Sequence, residues 1–295
     1  MNIKRKILIC IISLVLAVFI PIFVFNTRAP VLIVFEESFI LIYGQKRLDN
    51  DISRISFNSF RPVKTVIIAN DSGDDIIPYA IAEISLRPYC VVFPLRFKNA
   101  AFFYREQNPA ARVIILEGRG SIEENHSILN PDSGFFIYRT DIDSDFYKAG
   151  YAAAAFDNDR KGTIAVFLYP DNEQAKNAFI RGVTSENNPP QVRFYTSFSD
   201  FSENTGTTCV VLCGAGYEYL EEKTDIPIIA FTWLDPLLTP ENVTIIFDDS
   251  PLALLNRALS MIATGEEKGV ISSNLTILNK TSIAREILQK IKILQ

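Results

Sequence analysis

The chain has 295 residues and a mass of 33.2 kDa, of which 48% are hydrophobic and 21% charged. That composition excludes intrinsic disorder and fibrous repeats and leaves one large folded domain or two ordinary ones. A net charge of -5 argues against nucleic acid as the main partner, and one histidine with four cysteines leaves little for a zinc site or histidine-dependent catalysis.

Lys4, Arg5 and Lys6 precede an uncharged apolar run from Ile7 to Phe25. As a helix rising about 1.5 Å per residue, such a run matches the thickness of a bilayer core. The basic flank predicts a cytoplasmic N-terminus, so residues 1–30 read as a single-pass membrane anchor with everything after Arg28 on the outer side. A cleaved signal peptide competes with that reading, although Phe25-Asn26-Thr27-Arg28 offers no small-x-small cleavage site.

Short β-branched and aromatic runs then alternate with helix-like stretches. The first strands are predicted at Val31 to Phe35, Val63 to Ala69, Cys90 to Pro94, Val113 to Leu116 and Phe135 to Tyr138. Helices are predicted between them at Ser72 to Leu86 and Lys98 to Glu106. Near-continuous hydrophobicity in the strands predicts a sheet covered on both faces, as in α/β folds. A second series follows, with a helix capped at Asp143-Ser144-Asp145 and running to Ala155, then a strand Thr163 to Leu168 and a helix Asn172 to Val183. Strands are predicted again at Gln191 to Tyr195, Thr208 to Cys213, Ile226 to Phe231 and Val243 to Phe247, with helices at Pro251 to Ala263 and Thr281 to Leu294. Cys90, Cys209 and Cys213 fall inside strand-like runs without metal or redox spacing and read as buried thiols.

The segments Asp145 to Ala153, Lys161 to Val166 and Ala178 to Gly182 resemble the second lobe of type I periplasmic binding proteins. They are most similar to the basic membrane protein branch, which binds nucleosides. The resemblance implies two Rossmann-like α/β lobes with parallel sheets and a ligand cleft between them. It also implies a bacterial chain, a helix opening the second lobe with a glycine packed closely on a strand, and a later helix with an aromatic-x-x-Gly signature. The Asp248 to Met261 segment looks like the crossing back to the first lobe. The expected lobes are therefore 31–140 with 243–265, and 141–242 with 266–295. Two departures stand out: Phe35-Glu36-Glu37-Ser38-Phe39 replaces the family's ligand loop, and Leu168-Tyr169-Pro170-Asp171 stands where glycines are usual.

Ligands of open α/β sheets sit outside the carboxyl ends of the strands, which selects candidate binding residues without a motif. The first lobe supplies Phe35, Glu36, Asn70, Asp71, Ser72 and Glu117, and the second supplies Tyr169, Asp171, Trp233 and Asp235, with Arg139 and Asp141 at the first crossing. Trp233, the only tryptophan, could stack on a planar or sugar ring with Phe35 and Tyr169 while carboxylates accept hydroxyl hydrogen bonds. The plainer account is that the aromatics fill the hinge and the carboxylates cap helices. Gly214-Ala215-Gly216 lacks the third glycine of a dinucleotide fingerprint and reads as a turn, and His126 reads as a surface residue.

Three functions are compatible with this pattern. The first is a membrane-tethered extracytoplasmic solute-binding protein, serving uptake with a membrane permease or sensing, with no cofactor, metal or catalytic residue. The second is a degenerate binding fold acting as an interaction module. The third is an anchored glycosyltransferase-type enzyme using Asp141-Ile142-Asp143 to hold a metal.

Overall fold

The computed structural model describes residues 24–25, 27–70, 72–118, 135–157, 162–185, 188–201, 206–222, 224–233, 239–278, 283 and 285–293. Nearly all of the expected anchor, together with Asp71, His126 and Asp235, lies outside the described residues. Among the described residues, no helix is long and apolar enough to cross a membrane.

Two six-stranded sheets form two α/β lobes. The first contains β1 (Val31–Glu36), β2 (Val63–Ile68), β3 (Cys90–Pro94), β4 (Val113–Glu117), β5 (Phe135–Thr140) and β11 (Lys268–Ile271), in the order β11-β5-β4-β3-β1-β2. The second contains β6 (Thr163–Leu168), β7 (Gln191–Tyr195), β8 (Thr207–Cys213), β9 (Ile228–Phe231), β10 (Val243–Asp248) and β12 (Asn274–Ile277), in the order β12-β10-β9-β8-β6-β7. Every pairing is parallel except that of β10 with β12. The central strands are buried along their whole length, which is why they read as unbroken apolar runs.

In the first lobe, α1 (Glu37–Tyr43), α2 (Gln45–Ser59) and α7 (Pro251–Ala263) cover one face of the sheet, while α3 (Ile77–Ile84) and α4 (Lys98–Gln107) cover the other. In the second lobe, α5 (Ile142–Phe156), α6 (Glu173–Val183) and α8 (Arg285–Lys292) cover one face. Among the described residues, the opposite face carries no long helix and is closed by an aromatic cluster of Phe167, Tyr195, Phe198, Phe201 and Tyr219.

The chain crosses between lobes three times: at Asp141, at Asp249 and Ser250, and at Ser272 and Ser273. The return was expected at 243, but β10 stays in the second sheet because it pairs with β9 on one side and β12 on the other. Residues 268–271, expected in the second lobe, form β11 of the first sheet. The first and third crossings are tied together. Asp141 N–H donates to Ile271 O at 2.9 Å, and the buried Asp145 carboxylate accepts from Ser273 N–H at 3.0 and 3.1 Å.

One implied packing is corrected. Gly150 of α5 faces a helix and not a strand: a Cβ there would lie 2.1 Å from Phe179 O, and one at Gly182 would lie 2.1 Å from Tyr147 O. Two helix backbones touch at this crossing, and only glycine on both sides permits it.

Candidate functional site

The parallel strands of both sheets end toward the same cleft, so the loops after them form its walls. Trp233 follows β9 and lies at the centre. Its indole N–H donates to Asp249 Oδ1 at 2.9 Å, and its ring meets Phe39 edge-on at 5.6 Å. Two hollows meet at this Trp233–Asp249 pair. The one on the second-lobe side has a volume of about 450 Å³ and is walled by Phe146, Leu168, Tyr169, Pro170, Cys213 and Phe231, with Asn172 and Thr232 as polar members. The one on the first-lobe side has a volume of about 440 Å³ and is walled by Pro94, Leu95, Leu116 and Leu254, with Arg96 and Lys98 as its cations. Each volume falls within the range of about 300–1,000 Å³ that small-molecule sites occupy.

The second-lobe hollow is built by local rules. Asn172 caps α6, accepting from Ala175 N–H at 2.8 Å, which fixes the start of that helix beside the hollow. Gly214 has φ +76°, and a Cβ there would lie 2.0 Å from Tyr169 O, so the turns after β6 and β8 can approach only through glycine. Phe146 and Phe231, which line it, stack at 4.7 Å, and Phe231 stacks in turn on the buried Phe247 at 4.6 Å. Tyr169 is 62% exposed, leaving its ring available to a ligand.

Of the residues expected to bind ligand, the structure brings Tyr169 and Trp233 together in one hollow. The other described candidates are engaged elsewhere. Phe35 is buried, stacked on Phe39 at 4.4 Å, which stacks in turn on Tyr43 at 5.1 Å. Glu36 is paired with Arg96, and Glu117 with Arg139, so these acids are satisfied by the protein's own arginines. Asn70 Oδ1 accepts from Ser38 N–H at 3.0 Å and so holds the start of α1, while Ser72 N–H donates to Ala69 O. Asp171 pairs with Lys176. Asp141 is the cap of α5, accepting from Ser144 N–H at 2.9 Å; the cap expected at 143–145 lies upstream because Asp143 and Asp145 already stand in the first turn. No loop intervenes between β1 and α1, so a helix occupies the place of the family's ligand loop.

Sequence reasoning passed over Asp249, Arg96 and Asn172. Asp248 and Asp249 are adjacent in sequence, and their carboxylates point apart. Asp249 turns to Trp233, and Asp248 turns to Arg47 of α2. Arg47 also donates to Trp233 O at 2.6 Å, and its guanidinium lies 4.0 Å from the Tyr43 ring centre. Burial raises the Asp248 carboxyl above the ordinary carboxylate range, with Arg47 pulling the other way. Among the described residues, no cluster of three metal-ligating side chains occurs. Asp143 pairs with Arg181 at 2.6 Å, so neither member of the Asp141-x-Asp143 motif is positioned by the other.

No family model matches the sequence, and no curated protein matches it. Solved structures do. A transcriptional activator of the comK gene from Bacillus halodurans superposes with a TM-score of 0.61 at 14% identity, over 90% of this chain and 95% of that one. An ABC transporter solute-binding protein from Conexibacter woesei gives 0.60 at 12% identity, over 90% and 95%. AraP, an arabinose-binding protein from Geobacillus stearothermophilus, gives 0.59 at 10% identity, over 90% and 99%. At such identities the likeness shows the fold, a two-lobe type I periplasmic binding protein-like architecture.

Proposed function

We propose that the chain is a bacterial, membrane-tethered, extracytoplasmic solute-binding protein, not an enzyme, whose two lobes close on a small molecule carrying a planar or sugar ring. The observation that carries this reading is the position of Trp233, held by Asp249 at the meeting point of two ligand-sized hollows, with the exposed ring of Tyr169 lining one of them. Closure would expel water from walls that are mostly apolar and strengthen the few polar contacts made by Asn172, Thr232 and Asp249. A nucleoside, as in the branch the second-lobe motifs resemble, and a pentose, as bound by AraP, both fit that chemistry. The apolar run of residues 7–25 supports the tether.

The test uses the single tryptophan. Because Trp233 is the only one in the chain, its emission in a titration of the full-length protein reports the cleft alone. A sugar or nucleoside that binds is expected to shift that emission saturably and, at 100 times its Kd, to stabilise the fold by about 2.7 kcal/mol. Tyr169→Ala is expected to weaken binding at least tenfold with no loss of stability, since the ring is exposed.

A second reading, an interaction module that has lost its ligand, is favoured by one specific observation. The acids at the ends of β1 and β4 are consumed by Arg96 and Arg139, and α1 covers the end of β1. Absence of any saturable emission change across sugars, nucleosides and amino acids, from a folded monodisperse sample, selects that reading.

A further inference from the structure

The end of the first lobe where its strands begin, opposite the cleft, has a chemistry that solute binding does not use. The chain enters the lobe there. Phe25 packs edge-on against Phe60 at 5.9 Å, and Arg28 lies 4.7 Å from the same ring while donating to Phe60 O at 3.3 Å. Beside them, two guanidinium groups share one tyrosine: Arg61 lies 3.6 Å and Arg112 4.7 Å from the ring centre of Tyr89, whose backbone N–H donates to Pro30 O. Leu86 and Arg87, both exposed, precede Tyr89 in the same loop, and Leu86 is 83% exposed. Among the described residues, no carboxylate lies within the 4.0 Å ion-pair distance of Arg28, Arg61, Arg87 or Arg112. Acids are present at this end, namely Glu83, Glu106, Glu266 and Glu267, but they are exposed and unpaired with these arginines. At the corresponding end of the second lobe, exposed charges before β9 and β10 among the described residues include Glu222, Asp225 and Glu241. These arginines thus gather at the end where residues 7–25 join the chain, whereas the described exposed charges before β9 and β10 are acidic.

We propose that this end of the first lobe is a seat for anionic phospholipid headgroups of the bilayer that holds the tether. The inference rests on the tether reading of residues 7–25. Like charges gathered on one ring, with no counter-carboxylate among the described residues, are stabilised by an external anion, and a stacked guanidinium keeps in-plane N–H donors that match phosphate oxygens. Phe60 and Leu86 are the apolar members that would enter the interfacial layer beside those phosphates. Only five residues lie between Phe25 and Val31. Fully extended this stretch spans about 20 Å, and Arg28 within it packs on Phe60, so the base of the lobe is kept within reach of the surface.

The experiment uses the full-length chain carrying Cys10→Ser, with an environment-sensitive fluorophore on Leu86→Cys or, as the far-end control, on Glu241→Cys. The remaining thiols, Cys90, Cys209 and Cys213, are buried. The labelled protein is reconstituted with vesicles of phosphatidylcholine alone or with three-tenths phosphatidylglycerol, each containing a headgroup-level spin-labelled lipid. The expected result is quenching at least threefold greater at position 86 than at 241 in the anionic vesicles, falling to the 241 level with Arg61→Glu or in high salt, which screens the attraction. Arg87→Glu, in an exposed loop, gives the same readout should Arg61→Glu fail to fold. Flotation with pure phosphatidylcholine vesicles reads the tether separately. Flotation with equal quenching at both positions overturns the seat and leaves the tether, and would redirect this surface to a protein partner. Salt-sensitive binding to anionic vesicles only, with position 86 quenched, keeps the seat and removes the tether. Neither flotation nor quenching removes both.

Discussion

Arg47 reaches from α2 of the first lobe to two points of the second, the Asp248 carboxylate and the Trp233 carbonyl. Asp248 is buried, so deleting its partner leaves a charge in a poorly solvated place, a change that typically costs about 3–5 kcal/mol. Arg47→Met is therefore expected to lower the urea midpoint strongly, and Arg47→Met with Asp248→Asn is expected to recover part of the loss, a coupling a double-mutant cycle reads directly. The thiols give a second test. Burial pushes Cys90 from an ordinary value of 9.0 up to about 12 and raises Cys209 as well. Their contribution to stability is complete below pH 9.0 and is lost as pH rises toward 12, because the unfolded chain ionises its thiols first. Native protein at pH 8.5 is expected to resist thiol reagents at positions 90, 209 and 213 and to react fully in denaturant. The burial of all three was legible in the sequence from the strand-like runs around them. The role of Arg47 was not, because its partners lie about two hundred positions away.

Helices α5 and α6 cross at Gly150 and Gly182 with their backbones in contact. An alanine at either position must push a carbonyl aside, and forced overpacking typically costs about 1–3 kcal/mol. Gly150→Ala and Gly182→Ala are each expected to destabilise by that order in chemical unfolding. Their combination should cost less than the sum, since the first substitution already separates the helices. The sequence pointed to both glycines but placed the first against a strand, because spacing along the chain does not say which element lies opposite. Helices α1 and α2 were missed although Leu48, Ile52 and Ile55 repeat at helical intervals. Phe35 to Phe39 reads only as a departure from the family's ligand loop, whereas the stack of Phe35, Phe39 and Tyr43 folds α1 down over the end of β1. The strand at 243–248 was legible as a strand from its β-branched run, but its sheet was decided by pairing with β12, a four-residue strand too short to signal itself.

On the scale of the molecule, three crossings form the hinge, and Asp145 binds two of them together through Ser273. Asp145→Ala is expected to loosen the hinge as well as destabilise it: small-angle scattering of the ligand-free protein should show a larger radius of gyration than wild type, and saturating ligand should contract both. Two parallel sheets facing a cleft were readable from alternating strands and helices, and the likeness to AraP and its kind extends over nine-tenths of the chain. The third crossing was not, since β11 and β12 are four residues each and half-polar. The chain joins the first lobe at its base, beneath Phe60, and not at the cleft or in the second lobe. On the proposed tether, residues 7–25 would hold that base and ground the first lobe like the fixed arm of a calliper, leaving the other arm to swing. Every closure would then become a displacement of the second lobe relative to the plane of the membrane, a movement that a neighbouring receptor standing in the same plane could feel without touching the ligand.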